Sequence, residues 1–301
     1  MADVIQYPFL DPGMLARLGA LPVEARMAMV GNVAGRHRSP HRGASVEFAE
    51  YRKYVAGDDT RRLDWKAFAR SDRFYIKEFE ADTNLRAYFV VDASGSMAFS
   101  GTAEPKITYA RRIAASLSYL LVNQGDAAGL SICSDRLHLE VPPSRRPAHL
   151  ERVFSTLAQV EPTGPTGLPA ALHLVAEKIG RRAMVVVLSD LFMDAEELSH
   201  ALQHLRHRKH DVVVFHLMDP QEIGFEFDQP HRFVDLEDGT AIVAEPTLIA
   251  DEYQSALRQF LKDSRARCHD AGADYQLVTT DTPLEPLLRD FLTSRLPKGK
   301  H

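Results

Sequence analysis

Ala-Tyr-Phe-Val-Val-Asp-Ala-Ser-Gly-Ser-Met, residues 87–97, is the stretch of the sequence that decides the fold. Its first five residues form a short, almost wholly apolar run, which is typical of a strand covered on both faces. Asp92, Ser94 and Ser96 follow at alternate positions. A loop that leaves a strand can turn every second side chain toward one point. The stretch therefore predicts a buried strand that ends in a cluster of oxygen-bearing side chains.

Downstream of this stretch, strand-like and helix-like segments alternate to the end of the chain. The predicted strands are 129–133, 137–141, 183–188, 212–217 and 275–278, with a hairpin over 232–244. The predicted helices are 107–121, 147–159, 168–179, 195–208, 247–271 and 283–294. Strands separated by helices favour parallel pairing with helices on both faces, whereas the closely spaced 129–133 and 137–141 favour antiparallel pairing. We expect an α/β fold: a three-layer, doubly wound, mostly parallel sheet of Rossmann-like type.

The first 83 residues have a different character. Residues 15–29 and 46–54 are interpreted as helices, and residues 74–79 alternate like an edge strand. Between them, residues 58–73 are rich in charges around the only tryptophan, Trp65. This part holds too many large apolar residues to stay disordered. We expect residues 1–83 to form a helical and extended N-terminal segment packed on a main domain of residues 84–301, with Trp65 either pinning the two together or anchoring a partner.

The composition and net charge bear on the kinds of partner to expect. The 301 residues are 45% hydrophobic and 26% charged, as in ordinary globular proteins. A net charge of −5 provides no electrostatic reason to expect nucleic acid or an anionic membrane as partner. A short basic stretch over residues 36–42 is interpreted as a solvated loop, or alternatively as a docking patch for an acidic partner.

The compartment is predicted from what the sequence lacks. Cys133 and Cys268 are too few for a disulfide framework and lie among apolar residues, which suits a reducing compartment. The N-terminus has no signal-peptide pattern. No window reaches the roughly 18 apolar residues needed to cross a bilayer. We expect a soluble, cytoplasmic protein with no membrane span.

Oxygen-bearing side chains from three separate places in the sequence form a candidate metal site. Asp92, Ser94 and Ser96 follow the first strand, Thr166 precedes a helix, and Asp190 follows the valine-rich strand. Loops at the carboxyl ends of parallel strands emerge on one side of a sheet. Mg²⁺ prefers such hard oxygen ligands, and Mn²⁺ is an alternative. With few protein carboxylates around it, the ion would remain positive enough to accept a carboxylate from another molecule.

These residues resemble a known site. Residues 90–97 (Val-Val-Asp-Ala-Ser-Gly-Ser-Met) resemble the metal-ion-dependent adhesion site of von Willebrand factor A domains. Residues 164–166 (Gly-Pro-Thr) are similar to that family's threonine loop, and residues 187–190 (Val-Leu-Ser-Asp) to its distal aspartate. The resemblance implies a von Willebrand factor A-like main domain that binds partners through the ion and performs no catalysis. Thr163 is an alternative to Thr166, although the Gly-x-Thr step favours Thr166.

A second resemblance lies upstream. Residues 50–54 (Glu-Tyr-Arg-Lys-Tyr) and 57–70 (Gly-Asp-Asp-Thr-Arg-Arg-Leu-Asp-Trp-Lys-Ala-Phe-Ala-Arg) resemble the signature of a bacterial family known as domain of unknown function fifty-eight. The match spans about residues 46–83 and continues into the adhesion-site strand. Many members are implied to carry membrane helices, a feature in which this sequence departs from them. The family implies partnership with MoxR-type AAA+ ATPases, which this protein would serve as adaptor or co-chaperone by presenting a client.

Three other interpretations compete with this one. Ser94 could be a nucleophile, or the same ion could assist a hydrolase, but the sequence lacks the glycine two residues before Ser94 that a nucleophile elbow needs. A metal-free scaffold would leave the complete set of ligands unexplained. His200, His204 and His207 are spaced as on one helix face and could bind zinc, but no H-E-x-x-H pattern accompanies them. We interpret them as surface histidines and the protein as a non-enzyme.

Overall fold

The computed structural model describes residues 7–26, 85–227 and 229–296, and the backbone of the strand segments 37–38, 47–53, 75–80 and 82–83. The chain divides into two compact units, one of residues 1–26 with 86–301 and the other of residues 27–85. The predicted N-terminal segment of residues 1–83 is thus shared between the units. Its predicted boundary with the main domain stays a prediction.

The strands follow the order that the sequence predicts from residue 86 onward. They are β1 (His37–Arg38), β2 (Glu47–Lys53), β3 (Tyr75–Glu80), β4 (Asp82–Thr83), β5 (Arg86–Asp92), β6 (Ala127–Cys133), β7 (Leu137–Ser144), β8 (Met184–Ser189), β9 (Asp211–Met218), β10 (His231–Val234), β11 (Ala241–Ala244) and β12 (Asp274–Thr279).

The helices lie mostly between these strands. They are α1 (Pro12–Leu18), α2 (Lys106–Asn123), α3 (His149–Ala158), α4 (Leu168–Lys178), α5 (Ala195–His207), α6 (Pro220–Gly224), α7 (Pro246–Asp270) and α8 (Leu284–Ser294), with a 3₁₀ turn over Gly95–Ala98. Within the described part of the chain, no helix combines the length and apolar character needed to cross a membrane.

The larger unit is built on a six-stranded sheet in the order β12-β9-β8-β5-β6-β7. Neighbouring strands are parallel except β7, which runs antiparallel to β6 at the edge. Helices α1, α2, α3 and α8 contact one another on one face, and α4, α5 and α7 form a second group. This arrangement confirms the predicted three-layer α/β fold with a mostly parallel sheet.

The core explains why the central strands are nearly all apolar. Every residue of β8 is buried, because helices cover both of its faces. Val185 and Val187 pack into a cluster with Leu172 of α4 and Leu202 of α5. Cys133 and Cys268 are free and buried, as predicted. Alternate residues of the strands thus face different helix layers, and polar side chains collect where the strands end.

The described segments of the smaller unit form two antiparallel strand pairs, β1 with β4 and β2 with β3. The predicted strand over 74–79 is confirmed by β3, but the predicted helix over 46–54 is wrong, since residues 47–53 form β2. The predicted helix over 15–29 is also wrong in extent, because α1 covers Pro12–Leu18 and the next turn contains Gly19 and Pro22. The prediction for Trp65 falls outside the described residues. Of the basic stretch over residues 36–42, the described part is His37–Arg38, which forms strand β1 and not a loop.

Candidate metal centre

The candidate site lies at the carboxyl ends of the parallel strands, at the position where the strand order in the sheet reverses. From β5 the chain proceeds through β6 and β7 on one side of the sheet, then returns to β8 and continues through β9 on the other. The loops after β5 and β8 therefore diverge and leave a crevice, which is the usual ligand position in open α/β sheets. Asp92 ends β5, and Asp190 directly follows β8.

Asp92 is the centre of the cluster and is fully buried. Its Oδ1 accepts a hydrogen bond from the backbone N–H of Ser94 at 3.0 Å. Its Oδ2 accepts from the hydroxyls of Ser189 at 2.7 Å and Thr166 at 3.1 Å. Burial, followed by the negative charge of Asp190, raises the pKa of Asp92 to about 6, against the opposing hydrogen bonds from Ser189 and Ser94. Within the described residues no basic side chain forms an ion pair with Asp92, so its carboxylate lacks a positive partner.

The loop after β5 is held in place by its backbone. Ala93 donates its N–H to the carbonyl of Cys133 at 2.6 Å, and Gly95 donates to the carbonyl of Gly164 at 2.8 Å. In return, the N–H of Thr163 donates to the carbonyl of Ala93 at 2.9 Å. These bonds join the loop after β5 to the loop over residues 161–167, which we call the threonine loop. The hydroxyls of Ser94 and Ser96 lie 3.1 Å apart at this junction.

The threonine loop presents Thr166 to Asp92, whereas Thr163 points to solvent. The backbone N–H of Gly167 hydrogen-bonds the carbonyl of Ser134, which fixes the end of the loop. A Cβ at Gly167 would lie 2.1 Å from the carbonyl oxygen of Asp135, so only glycine fits this close approach. The contact between Thr166 and Asp92 is therefore set by the backbone. Thr166, and not Thr163, contacts the carboxylate of Asp92.

Asp190 lies near Asp92 but has a different partner. The ammonium of Lys106, which is fully buried at the start of α2, donates to Oδ2 of Asp190 at 2.7 Å and to Oε1 of Glu222 at 2.7 Å. Burial lowers the pKa of Lys106, but the charges of Asp190 and Glu222 outweigh it and hold that pKa above its usual value. Since Lys106 occupies Oδ2, Asp190 can face an ion through Oδ1 or through a water. The described hydrogen bonds of the Asp190 side chain go to Lys106 and to the N–H of Phe192, and none joins it to the other predicted ligands.

Backbone strain is present beside Asp190. Leu191 is buried and has a φ of 57°, a left-handed conformation that side-chain-bearing residues rarely adopt. Its N–H donates to the hydroxyl of Ser189 at 2.9 Å, the same hydroxyl that donates to Asp92. Strained residues are frequent at functional sites, where the surrounding structure compensates their cost of about 1–3 kcal/mol.

The oxygens of the candidate set lie at hydrogen-bond distance from one another. Neighbouring ligands of an octahedral Mg²⁺, each about 2.0–2.1 Å from the ion, lie about 2.9 Å from one another. The pairs Ser94–Ser96 and Asp92–Thr166 both have oxygens 3.1 Å apart. Among the described residues, no group of three or more His, Cys, Asp or Glu side chains is arranged to hold a metal. The candidate set is of another kind, because hydroxyls supply most of its oxygens.

Four residues near the site were missed by the sequence reasoning. Ser189 and Glu237 contact predicted ligands, and Lys106 and Glu222 complete the charge network around Asp190. Ser189 had a signal, since it is the last residue of the valine-rich strand and precedes Asp190. The other three come from segments far away in the sequence, and no local pattern distinguishes them from surface charges.

The hydrolase interpretation requires a base beside Ser94, and no hydrogen bond among the described residues joins a histidine to Ser94. Ser94 is buried, and its hydroxyl contacts that of Ser96. His216 is fully buried against Phe260 and Tyr275, and burial above all lowers its pKa to about 4. His231 is exposed on β10.

The three histidines of α5 are only partly surface residues. His200 and His207 are exposed, but Nδ1 of His204 lies 2.9 Å from Nδ1 of His173 on α4. The other nitrogen of His204 lies 3.0 Å from a carboxylate oxygen of Glu177. The interpretation of His204 as a plain surface residue is therefore corrected: it connects α5 to α4.

Sequence comparisons identify relatives without an established role. The pattern of a family described as "Protein of unknown function DUF58" matches residues 50–263. Uncharacterised proteins of Mycobacterium tuberculosis and Mycobacterium bovis are each 26% identical to this chain over 291 residues. The alignments cover 95% of this chain and 90% of each relative.

Comparison with solved structures finds weak similarity to several proteins. The conserved hypothetical protein BatB from Bacteroides thetaiotaomicron is 13% identical, with a TM-score of 0.47 over 70% of this chain and 98% of its own. The SpRpn10 VWA domain is 11% identical, with a TM-score of 0.40 over 73% and 98%. Manganese-loaded TRAP protein from Plasmodium vivax is 17% identical, with a TM-score of 0.30 over 44% and 56%.

Proposed function

Because the chain belongs to the family described as protein of unknown function DUF58, we propose that it is a metal-dependent protein-interaction module and not an enzyme. The matched residues include all five candidate ligands. One observation carries the proposal: the carboxylate of Asp92 is fully buried without a basic partner among the described residues, and hydroxyls surround it. A buried charge of this kind is costly unless a cation compensates it.

The candidate residues have different roles in the proposed metal binding. Asp92, Ser94, Ser96 and Thr166 would supply oxygens directly, and Asp190 would contribute through Oδ1 or a water. When bound, Mg²⁺ or Mn²⁺ supplies a positively charged face that accepts a carboxylate from a partner. Lys106 neutralises part of the charge of Asp190 and keeps that side chain oriented. Ser189 holds Oδ2 of Asp92 toward the threonine loop.

The partner that we propose is a MoxR-type AAA+ ATPase, its client, or both. This part of the proposal is supported by the family signature at residues 50–70, which implies that such proteins act as adaptors or co-chaperones. A partner Asp or Glu would enter at the crevice between the loops after β5 and β8. Charge-assisted contacts are strong in such partly dry sites.

A metal-assisted hydrolase remains the alternative from another class of function. It would need a general base within hydrogen-bond distance of the reacting group. The arrangement favours the interaction module because the described hydrogen bonds of the Ser94 side chain include no histidine, and Nδ1 of His216 is engaged with the hydroxyl of Tyr275. Turnover of ester or phosphoester substrates that disappears in Ser94→Ala would favour the hydrolase instead.

The first prediction concerns metal removal. Mg²⁺ at about 100 times its dissociation constant should stabilise the wild type by roughly 2.7 kcal/mol relative to EDTA. Asp92→Asn keeps the shape of the side chain but removes the charge, so it should melt at the same temperature in Mg²⁺ and in EDTA. Thermal melts of both proteins measure this, with Asp251→Asn on the exposed face of α7 as the matched control. Equal wild-type melting temperatures with and without Mg²⁺ would contradict the metal site.

The partner is tested by capture from the native cell. Wild-type protein in Mg²⁺ should retain an AAA+ ATPase or its client, and EDTA or Asp92→Asn should release it. Asp251→Asn should bind as the wild type does. Recovery of the same partners by Asp92→Asn and by the wild type in EDTA would exclude the metal as the means of binding, while leaving the fold unaffected.

A further inference from the structure

The turn of the β10–β11 hairpin lies directly on the loop after β5. A Cβ placed on Gly95 would be 2.0 Å from the carbonyl oxygen of Leu236 and 3.2 Å from the Cα of Glu237. Gly95 stands between two candidate ligands, Ser94 and Ser96. The hairpin backbone therefore approaches the candidate metal centre as closely as a residue without a side chain permits.

The conformation of this turn is fixed by its own hydrogen bonds. Oδ1 of Asp235 accepts from the backbone N–H groups of Glu237 at 2.7 Å and Asp238 at 3.3 Å. The N–H of Asp235 donates to the carbonyl of Thr240 at 2.8 Å, and Gly239 closes the turn with a φ of 77°. Such an Asx-type turn leaves little freedom to the backbone of Glu237. Its side chain is thus directed by the turn.

The carboxylate of Glu237 is directed at the candidate ligands. The side chain of Ser96 and the backbone of Thr166 lie close enough to favour its charged form, whereas the negative charges of Asp190 and Asp235 act against that form. Its Oε1 is buried and has no hydrogen-bond partner among the described residues. A buried carboxylate oxygen without a partner is costly. A cation held at the candidate site would remove that cost.

We propose that Glu237 is the chain's own ligand at the metal centre, and that it takes the place which a partner's carboxylate would use. This inference rests on the proposed function, since it assigns the regulation of the same site. In the closed arrangement described here, a partner binds only when it displaces Glu237 and the hairpin turn moves away from Gly95. The module is therefore self-inhibited, and an isolated carboxylate is a poor competitor for it.

Competition from within the chain sets the threshold for partners. A tethered carboxylate acts at an effective concentration in the millimolar range or above. A partner must exceed this through further contacts, so random acidic segments in the cell would be rejected. Removing the Glu237 carboxylate should weaken the hold on the ion while opening the site to outside carboxylates. Those two effects have opposite signs, and a merely structural residue would not produce both.

The test uses Mn²⁺ as the probe, followed by water-proton relaxation and titrated with acetate. Glu237→Gln should bind Mn²⁺ about tenfold more weakly than the wild type, as for loss of a supporting metal contact. It should also show one more exchangeable water on Mn²⁺. Acetate should lower the water-proton relaxation of Mn²⁺-bound Glu237→Gln, because it displaces this water. The concentration needed should be at least about tenfold lower than the acetate concentration that changes the relaxation of the Mn²⁺-bound wild type. Asp238→Asn, the neighbouring charge on the exposed side of the turn, should match the wild type in all three respects.

Each outcome decides for or against the inference. If Glu237→Gln and Asp238→Asn behave alike while Asp92→Asn abolishes Mn²⁺ binding, the inference is wrong and the metal site stands. If the wild type binds no Mn²⁺, the inference falls together with the proposed function. Glu237→Asp retains the charge but withdraws the carboxylate by one methylene, so it should lie between the wild type and Glu237→Gln. This variant serves as the test if circular dichroism shows that Glu237→Gln fails to fold.

Discussion

His210 carries a buried imidazole whose protonation the fold opposes. The residue is 1% exposed, Nδ1 accepts the backbone N–H of Ala183 at 3.2 Å, and Nε2 is buried without a partner among the described residues. Burial, with the nearby charges of Arg208 and His204, lowers the pKa of His210 from 6.5 to about 4. The unfolded chain therefore takes up this proton at a higher pH than the folded chain does. The stability that neutral His210 contributes is complete above about pH 6.5 and is lost as the pH falls through about 4.

The second prediction follows from this residue. His210→Asn keeps an acceptor for Ala183 but cannot be protonated, so its stability should fall less than that of the wild type between pH 6.5 and pH 4. The difference should amount to about 1–3 kcal/mol. Urea denaturation across this pH range measures it. The matched change at exposed His200 should follow the wild type, and parallel curves for His210→Asn would show that the imidazole titrates normally.

Among the helices and strands, one error of prediction has a distant cause and the other has a local cause. Residues 47–53 are a strand because β3 supplies their hydrogen-bonding partner, from a segment more than twenty residues later. The pattern within 46–54 alone does not contain that information. In the predicted helix over 15–29, Pro22 lies in the interior and removes a backbone donor. The helix accordingly ends at Leu18, followed by Gly19.

The third prediction concerns the hairpin as an element. Gly95→Ala places a Cβ 2.0 Å from the carbonyl of Leu236, so the turn over residues 235–240 must move away. Hydrogen exchange of the hairpin amides should become faster, while amides of β5 and β8 keep their protection because the sheet does not depend on the hairpin. Gly180→Ala, where an added Cβ meets nothing within 4 Å, is the control. Unchanged exchange across residues 231–244 in Gly95→Ala would contradict the close contact.

At the scale of the whole molecule, residues 7–26 belong to the same compact unit as the six-stranded sheet. Leu15, Leu18 and Val23 are buried there. Gln124 at the end of α2 accepts from the N–H of Val23 at 3.0 Å and donates to the carbonyl of Leu21 at 3.0 Å. Asp211, at the start of β9, accepts from the N–H of Arg26 at 2.9 Å. The larger unit therefore contains the chain up to residue 26 and again from β5 onward, whereas residues 27–85 form the smaller unit.

The fourth prediction tests this organisation. A variant that begins at residue 27 should lose at least about 3 kcal/mol of unfolding free energy, because it uncovers the surface that Leu15, Leu18 and Val23 bury. Chemical denaturation monitored by circular dichroism measures the loss. The control is Arg17→Ala, which breaks only the exposed ion pair with Glu285 and should unfold close to the wild type. A truncated protein as stable as the wild type would show that residues 7–26 contribute nothing to the larger unit.

The sequence by itself determined the α/β fold, most of its strands and helices after residue 86, and the three loops that supply the candidate ligands. It could do so because periodicity, turn residues and the spacing of Asp92, Ser94 and Ser96 are local properties. Only the tertiary structure decided that Asp92 is buried beside Ser189, that Lys106 neutralises Asp190, and that Glu237 reaches the site. Those contacts join segments that are distant in the chain. Burial and electrostatic partners depend on where such segments meet, and no local pattern specifies that meeting.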